Sequence, residues 1–503
     1  MIINFTFFLI QLHLFFLSWS KKIEKIVFFI SLFCFIIPTL FSPLLAQNTG
    51  ILPTPQSVLY EETAFKWDEN VVLYFFPNVK DTALIHSFLS KAVCDKPVQV
   101  ASHPTNSQKS ICFELIKKMP IGENKEQGYL LTVTPSKITV QALTQQGLFY
   151  GAQSVGQLYR FHYRLWYDHV AVTIPCMKII DYPQIKNRIW DNGTCRPTAH
   201  FMKQQIEMLS EWKINSIIIS GETQRGWSID EQKDIADWAT RHYIKLDTTT
   251  HKSTFSIHDH GAWEGTFPLM QQYKMDISEA GIQCKKQNIN DLQYTLPATG
   301  ADILLHYTWH AAAWMAEISW QPTIDDIQHR WCLLDTNFNF QFFHFYNDEN
   351  LISEFVGSVC KFSNISAYNY QSLWQFSPQR TLPEEELQRI KEERFSVYRT
   401  LQLVQLIMTE EVQYENSHIL YTALFALNRM LADLIAQRYA CALTTYQQFP
   451  TEDEKTTLHN ELEEIKDYFT ELRDWHKELY LREQQPAGWN AIQKKYEQLI
   501  DRQ

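Results

Sequence analysis

The chain has 503 residues, of which 45% are hydrophobic and 20% charged, a globular composition with room for two or three domains. The formal net charge is −11 and no basic stripe runs along the sequence, which argues against nucleic acid as a partner. The aromatic content of 14% suits a packed core as well as the walls of a sugar pocket, and it does not choose between them.

The first 46 residues have the pattern of a targeting segment. An apolar run at residues 1–18 is followed by three lysines and a second apolar run at 26–41, and Ala46 comes shortly after. The order basic, apolar, small residue predicts a signal peptide cleaved near Ala46, and hence export to the periplasm, cell surface or medium. Two alternatives stay open: a pair of membrane-spanning helices, or a true start near Lys21.

The nine cysteines are scattered, without a CxxC motif or a regular framework. In an exported chain of this size, such spacing predicts buried free thiols rather than a disulfide scaffold.

A first domain is predicted up to about Pro175. Residues 71–76 have the composition of a strand. Residues 128–142 alternate apolar and polar side chains around a Pro-Ser-Lys turn, which predicts a β-hairpin. Residues 145–159 then predict a helix whose buried face contains Leu148, Phe149, Ala152, Val155 and Leu158.

The next segment alternates strands and helices. Strands are predicted at 189–191, 214–220 and 244–246, with helices at 197–213 and 228–242 between them. The second helix begins with a Ser-x-x-Glu capping box. This spacing is the βαβ pattern of a parallel barrel or sheet.

Regular periodicity is lost after Thr248 and returns in a strong helix at 306–322. Residues 383–503 then predict a helical region. An eight-stranded barrel takes about 250 residues and rarely fewer than about 200. Only about 200 residues lie between the first domain and the helical region, so the sequence predicts a shortened barrel. The expected fold class is α/β, with a leader at 1–46, an N-terminal α/β domain at 47–180, a truncated (β/α) barrel at 181–380 and a helical domain at 381–503.

The order of these segments resembles glycoside hydrolase family 20, the β-N-acetylhexosaminidases. The resemblance is carried by the strand pair, the helix with its Gly-Leu-Phe-Tyr-Gly, the Ile-Pro and Asp-Tyr-Pro that follow, and an arginine-bounded first barrel strand. It implies hydrolysis of terminal N-acetylhexosamine from glycans. In that family the substrate's own acetamido oxygen is the nucleophile, and an adjacent Asp-Glu at the end of the fourth barrel strand supplies the acid and orients the acetamido group.

No Asp-Glu follows the third predicted strand. Asp348 and Glu349 end a strand-like run, but they follow the helix that resembles the end of the family's barrel, so they are weak candidates for catalysis. The pairs at 230–231 and 325–326 fit the first turns of ordinary helices, where carboxylates are favourable.

The resemblance also indicates substrate-binding residues. Arg188 and Arg196 are eight residues apart, as in the family's first strand, where the second arginine binds sugar hydroxyls. Arg196 could equally be a solvent-facing loop residue before Pro197. Further substrate-binding positions implied by the resemblance are Glu222, His258 and Trp263.

Two hypotheses follow. The protein is either a β-N-acetylhexosaminidase or a non-catalytic, internally deleted descendant that at most binds sugar. Both imply a carbohydrate partner, no nucleic acid, no membrane partner beyond the leader, and neither a cofactor nor a metal.

Overall fold

The structure is a computed structural model. It describes residues 48–322 with gaps at 94–97, 104–107, 121, 166–171, 249–254, 259–269 and 297–303, single positions between 402 and 443, and residues 451–501. The leader predicted at 1–46 therefore lies outside the described residues.

The N-terminal part is a seven-stranded mixed sheet with the strand order β1-β7-β5-β6-β4-β2-β3. β1 pairs antiparallel with β7 and β7 with β5, whereas β2, β4 and β6 run parallel. The strands are β1 (Ser57–Trp67), β2 (Val72–Phe75), β3 (Gln99–Val100), β4 (Ser110–Leu115), β5 (Tyr129–Val133), β6 (Lys137–Ala142) and β7 (Val172–Asp181).

Two helices belong to this sheet domain, α1 (Thr82–Ala92) and α2 (Gln145–Leu165). The predicted hairpin is confirmed by β5 and β6, which pair antiparallel from Val133 opposite Ile138 outwards. The predicted helix is also confirmed, and its five apolar positions are all buried in one core with the strands. Because this hairpin and helix are built from local patterns, the sequence alone was enough to predict them.

A second, five-stranded sheet is entirely parallel and has the order β10-β9-β8-β12-β11. Its strands are β8 (Asn187–Asp191), β9 (Ser216–Ile218), β10 (Lys245–Asp247), β11 (Phe255–His258) and β12 (Asp291–Thr295). The associated helices are α3 (Ala199–Glu211), α4 (Gly221–Arg225), α5 (Ile229–Arg241), α6 (Met270–Lys286) and α7 (Trp309–Trp320).

Local signals set the ends of these helices. The helix predicted from Pro197 begins two residues later, because the Thr198 side chain caps it by accepting a hydrogen bond from the Phe201 N–H. At the start of α5, Ser228 and Glu231 form the predicted capping box.

The stretch after Thr248 contains more structure than its periodicity indicated. β11, α6 and β12 all lie there, and none of the three was predicted. Both strands are short, and β12 pairs with β8, about a hundred residues earlier, so its stability depends on a non-local partner.

The strand order has one feature in common with a (β/α) barrel. In a closed barrel the first and last strands are neighbours, and β8 and β12, the first and last described strands of this sheet, pair in the same way. Among the described strands, β10 and β11 are the two edges of the sheet. Only residues 248–254 connect these two strands, too few for a further strand–helix unit. The truncation itself stays a prediction, as do the predicted domain boundaries.

The C-terminal region is helical, as predicted. α8 (Glu452–Glu483) and α9 (Trp489–Asp501) pack on each other around Phe469, Tyr480 and Ile492. The mixed α/β class with a helical C-terminus is thus confirmed. Within the described part of the chain, no helix is both long enough and apolar enough for a membrane span. The four cysteines described there are free and buried, as expected.

Buried charged residues lie where the N-terminal sheet meets the second one. Arg188, near the start of β8, is fully buried, and its guanidinium donates to the carbonyls of Lys213 and Ile185 and to the Gln127 side chain. Lys213 and Asp181 are equally buried, with 3.8 Å between Nζ and Oδ2. Arg188 therefore belongs to the core at the far end of β8 from its carboxyl edge.

Candidate functional site

The carboxyl edge of the parallel sheet is the expected place for a ligand, because ligands of open α/β sheets bind beyond the carboxyl ends of their strands. Trp190 and Tyr294 stack on the face covered by helices. Side chains alternate between the two faces of a strand, so the next residues along, Asp191 and Thr295, lie on the opposite face. A polar cluster therefore lies at this edge.

Asp191 is the centre of that cluster. One carboxylate oxygen accepts a hydrogen bond from the Gly193 N–H at 2.9 Å. The other accepts from the Thr295 hydroxyl and the Gln293 amide, both at 3.0 Å. Sequence analysis did not identify Asp191, because two of its partners lie in the stretch where periodicity was poor.

Gly193 allows the chain to turn directly after β8. Its φ is +56°, and an added Cβ would lie 2.4 Å from the Leu296 carbonyl oxygen. Both the backbone conformation and this close approach favour glycine.

We expect Gly193→Ala to lower the free energy of unfolding by about 1–3 kcal/mol, because alanine would be strained at this φ and would clash with backbone. Urea unfolding measures the change. Gly221→Ala is the matched control, since its Cβ would meet nothing within 4 Å. Equal effects of the two substitutions would contradict the assigned strain.

Arg196 and Glu222 are brought together at this edge. The Arg196 guanidinium donates to the Glu222 carboxylate, and the two side chains are 39% and 57% exposed. Arg196 lies in the loop after β8, and Glu222 lies in the first turn of α4, whose N-cap is Ser220. An ion pair this exposed contributes at most about 1 kcal/mol, so a ligand can compete for both partners.

The other predicted site residues are less well placed or lie outside the described residues. His258 ends β11 in register with Thr295, at the same edge of the sheet. Trp263, Asp348 and Glu349 lie outside the described part of the chain. In the residues that the structure covers, no three His, Cys, Asp or Glu side chains converge as metal ligands would.

The acidic pair at 230–231 has a structural role. The Glu231 carboxylate accepts hydrogen bonds from the Ser228 N–H and hydroxyl. These bonds hold the pKa of Glu231 below its ordinary value, as in any capping box. The interpretation of this pair as an ordinary helix start agrees with its contacts.

The end of α8 reaches this edge from the C-terminal region. The Gln485 N–H donates to the Arg196 carbonyl at 2.8 Å, and the Arg196 N–H donates to the Gln484 side chain at 3.2 Å. The backbone on both sides of the Arg196 side chain is therefore held by residues almost three hundred positions later in the sequence.

These features define an α/β protein with polar and charged side chains at the carboxyl edge of a parallel sheet. Residues 48–182 match the model of glycosyl hydrolase family 20, domain 2. The resemblance to glycoside hydrolase family 20 is thus confirmed over the N-terminal sheet domain. No curated protein matches the chain.

Among solved structures, the chain is similar to the family 20 β-N-acetylhexosaminidase from Streptomyces coelicolor A3(2), at 15% identity and a TM-score of 0.34 over 42% of this chain and 46% of that one. It is also similar to the family 20 exo β-N-acetylglucosaminidase from Vibrio harveyi in complex with N-acetylglucosamine, at 16% identity and a TM-score of 0.32 over 42% of this chain and 36% of that one. The similarity to CpGH84B is at 10% identity and a TM-score of 0.47 over 85% of this chain and 99% of that one. The chain thus spans less than half the length of these two family 20 enzymes.

Proposed function

We propose that this protein binds terminal N-acetylhexosamine of glycans at the carboxyl edge of its parallel sheet, on a scaffold derived from β-N-acetylhexosaminidases. The proposal also includes export with cleavage near Ala46, which rests on the sequence pattern. The single observation that carries the proposed binding is the exposed pairing of Arg196 with Glu222.

The chemistry of this pair suits a neutral sugar. A guanidinium offers a fixed fork of donors, and the carboxylate beside it offers acceptors, so the pair can serve two adjacent hydroxyls. Because the two charges cancel, the pair favours a neutral polyol over an anion. Asp191, fixed by three hydrogen bonds, adds a carboxylate at the same edge.

Hydrolysis at ordinary family rates is not part of the proposal. None of the five described strands of the parallel sheet is followed by an adjacent Asp-Glu; β11, for example, ends at His258 and is followed by Asp259 and His260. A second candidate function is an active hydrolase that uses Asp348 and Glu349, favoured only by the strand-like run that precedes them in the sequence.

Binding provides the direct test. We expect N-acetylglucosamine to bind with millimolar affinity, and Arg196→Ala to weaken binding about tenfold or more. Each hydrogen bond from a charged donor contributes up to about 1.5–3 kcal/mol, and about 1.4 kcal/mol corresponds to a factor of ten. Titration of both proteins followed by NMR measures the difference.

Arg241→Ala is the control, because Arg241 lies over the Trp238 ring in the last turn of α5. It should bind the sugar as the unsubstituted protein does. If Arg196→Ala also binds without loss, Arg196 is only a loop arginine and the proposed site is wrong.

A further inference from the structure

The C-terminal end of α8 contacts three different loops at the carboxyl edge of the parallel sheet. These contacts come mainly from residues 483–485, a Glu-Gln-Gln run that we name the clamp. Glu483 and Gln484 are buried, at 2% and 1% exposure, although α8 itself is largely solvent-facing. Buried polar side chains at a helix end need partners, and the clamp finds them in distant loops.

The first loop follows β8. The Gln485 N–H donates to the Arg196 carbonyl, and the Gln484 side chain accepts from the Arg196 N–H. The Glu483 carbonyl then accepts from the Thr198 N–H at 2.9 Å. Thr198 is the N-cap of α3, so these contacts fix the backbone from Arg196 to the start of that helix.

The second loop follows β9. The Gln485 amide donates to the Thr223 carbonyl at 3.0 Å and to the Pro197 carbonyl at 3.2 Å. One side chain therefore bridges the loop that contains Arg196 and the short helix that contains Glu222. Gly226 allows the Gln485 side chain to approach this closely, because a Cβ at position 226 would overlap that side chain.

The third loop precedes α7. The Glu483 carboxylate accepts from the Leu305 N–H and pairs with His306 Nδ1. The His306 ring packs against Phe201 of α3 and Trp309 of α7. The clamp thus ties together the loops that follow β8, β9 and β12.

We propose that Gln485 is the positioning residue of the sugar site: by bridging Pro197 and Thr223 it holds Arg196 and Glu222 at the separation that a sugar requires. The inference rests on the proposed function for the identity of the ligand. Gln485 does not touch the sugar in this scheme. Its effect is to preorganise the two loops, which reduces the ordering that a ligand must impose on binding.

The test is Gln485→Glu, which keeps the size of the side chain but replaces both donor N–H groups by a carboxylate facing two carbonyls. We expect it to weaken the affinity for N-acetylglucosamine about tenfold, because the loops of Arg196 and Glu222 lose their common bridge and the sugar must then order them on binding. Amide hydrogen exchange at residues 194–198 and 221–224 should also become faster. Gln498→Glu, an exposed glutamine of α9, is the matched control.

Three measurements separate the outcomes: sugar titration, amide exchange and the thermal midpoint. A Gln485→Glu protein with a lower midpoint but unchanged affinity and exchange would overturn the positioning role and leave only a structural one. If this variant fails to fold, Gln485→Ala, which adds no charge, decides in the same way. If the unsubstituted protein binds no sugar, the proposed function fails, and the exchange rates alone then decide whether the clamp orders the loops.

Discussion

Purified protein is expected to release nitrophenol from nitrophenyl N-acetyl-β-glucosaminide about 10²–10⁴-fold more slowly than an intact β-N-acetylhexosaminidase. This factor of about 10²–10⁴ is the rate acceleration that general-acid catalysis typically contributes. We expect this because no adjacent Asp-Glu follows any described strand of the parallel sheet, and the seven residues 248–254 between β10 and β11 are too few for another strand with its helix. Steady-state rates measured at saturating substrate provide the comparison.

Glu349→Gln tests the second candidate function directly. If the protein turned over at ordinary rates and this substitution abolished turnover, catalysis by Asp348 and Glu349 would replace our proposal. Glu69→Gln is the matched control, because Glu69 also follows an aspartate but lies exposed between β1 and β2 of the N-terminal sheet. It should leave any activity unchanged.

Lys213→Met is expected to lower the free energy of unfolding by about 3–5 kcal/mol, the usual cost of removing one partner of a buried ion pair. Lys213 and Asp181 are both fully buried, and their charged atoms lie 3.8 Å apart. The ammonium also lies over the rings of Tyr129 and Trp320, at 5.6 and 5.1 Å. Its removal leaves the Asp181 carboxylate without a cation in an apolar setting.

Chemical denaturation measures this loss, and two further variants check its cause. Lys91→Met removes an exposed partner of Glu207, so it should cost no more than about 1 kcal/mol. Lys213→Met combined with Asp181→Asn should recover part of the stability, because no uncompensated charge is left. A Lys213→Met protein as stable as Lys91→Met would show that the pair does not stabilise the fold.

The pH dependence of stability gives a second measure of Lys213. Burial lowers the pKa of Lys213 to about 8, although the nearby Asp181 charge opposes the shift. The folded protein therefore releases this proton at a lower pH than the unfolded chain does. Between about pH 8 and the ordinary lysine value, the unfolded chain binds more protons, so this group raises the free energy of unfolding as pH rises. Lys213→Met should lack that rise.

Some of the fold could be predicted from the sequence because its signals are local. The β5–β6 hairpin follows from alternation around a turn, and α2 follows from apolar residues at helical spacing. The capping box of α5 is a four-residue signal. Each of these patterns requires contacts only between residues close in the chain, so propensity and periodicity were sufficient.

The candidate site was predicted only in part. The resemblance indicated Arg196 and Glu222 separately, and the structure pairs them. It could not indicate Asp191, whose partners Gln293 and Thr295 come from a strand about a hundred residues later. Non-local pairing of short strands has no period to detect, and for that reason β11 and β12 were missed as well.

Tertiary structure alone decided which charged and polar residues are buried. In the sequence, Lys213 ends a predicted helix, and Gln484 and Gln485 belong to a predicted helical region. In the fold, Lys213 has a left-handed backbone and lies in the core, and the two glutamines hold the loop of Arg196. The sequence thus determined which segments fold locally. Packing between distant segments determined which polar groups are buried and which partners they bind. A polar group needs a partner within the protein only where burial has removed its water.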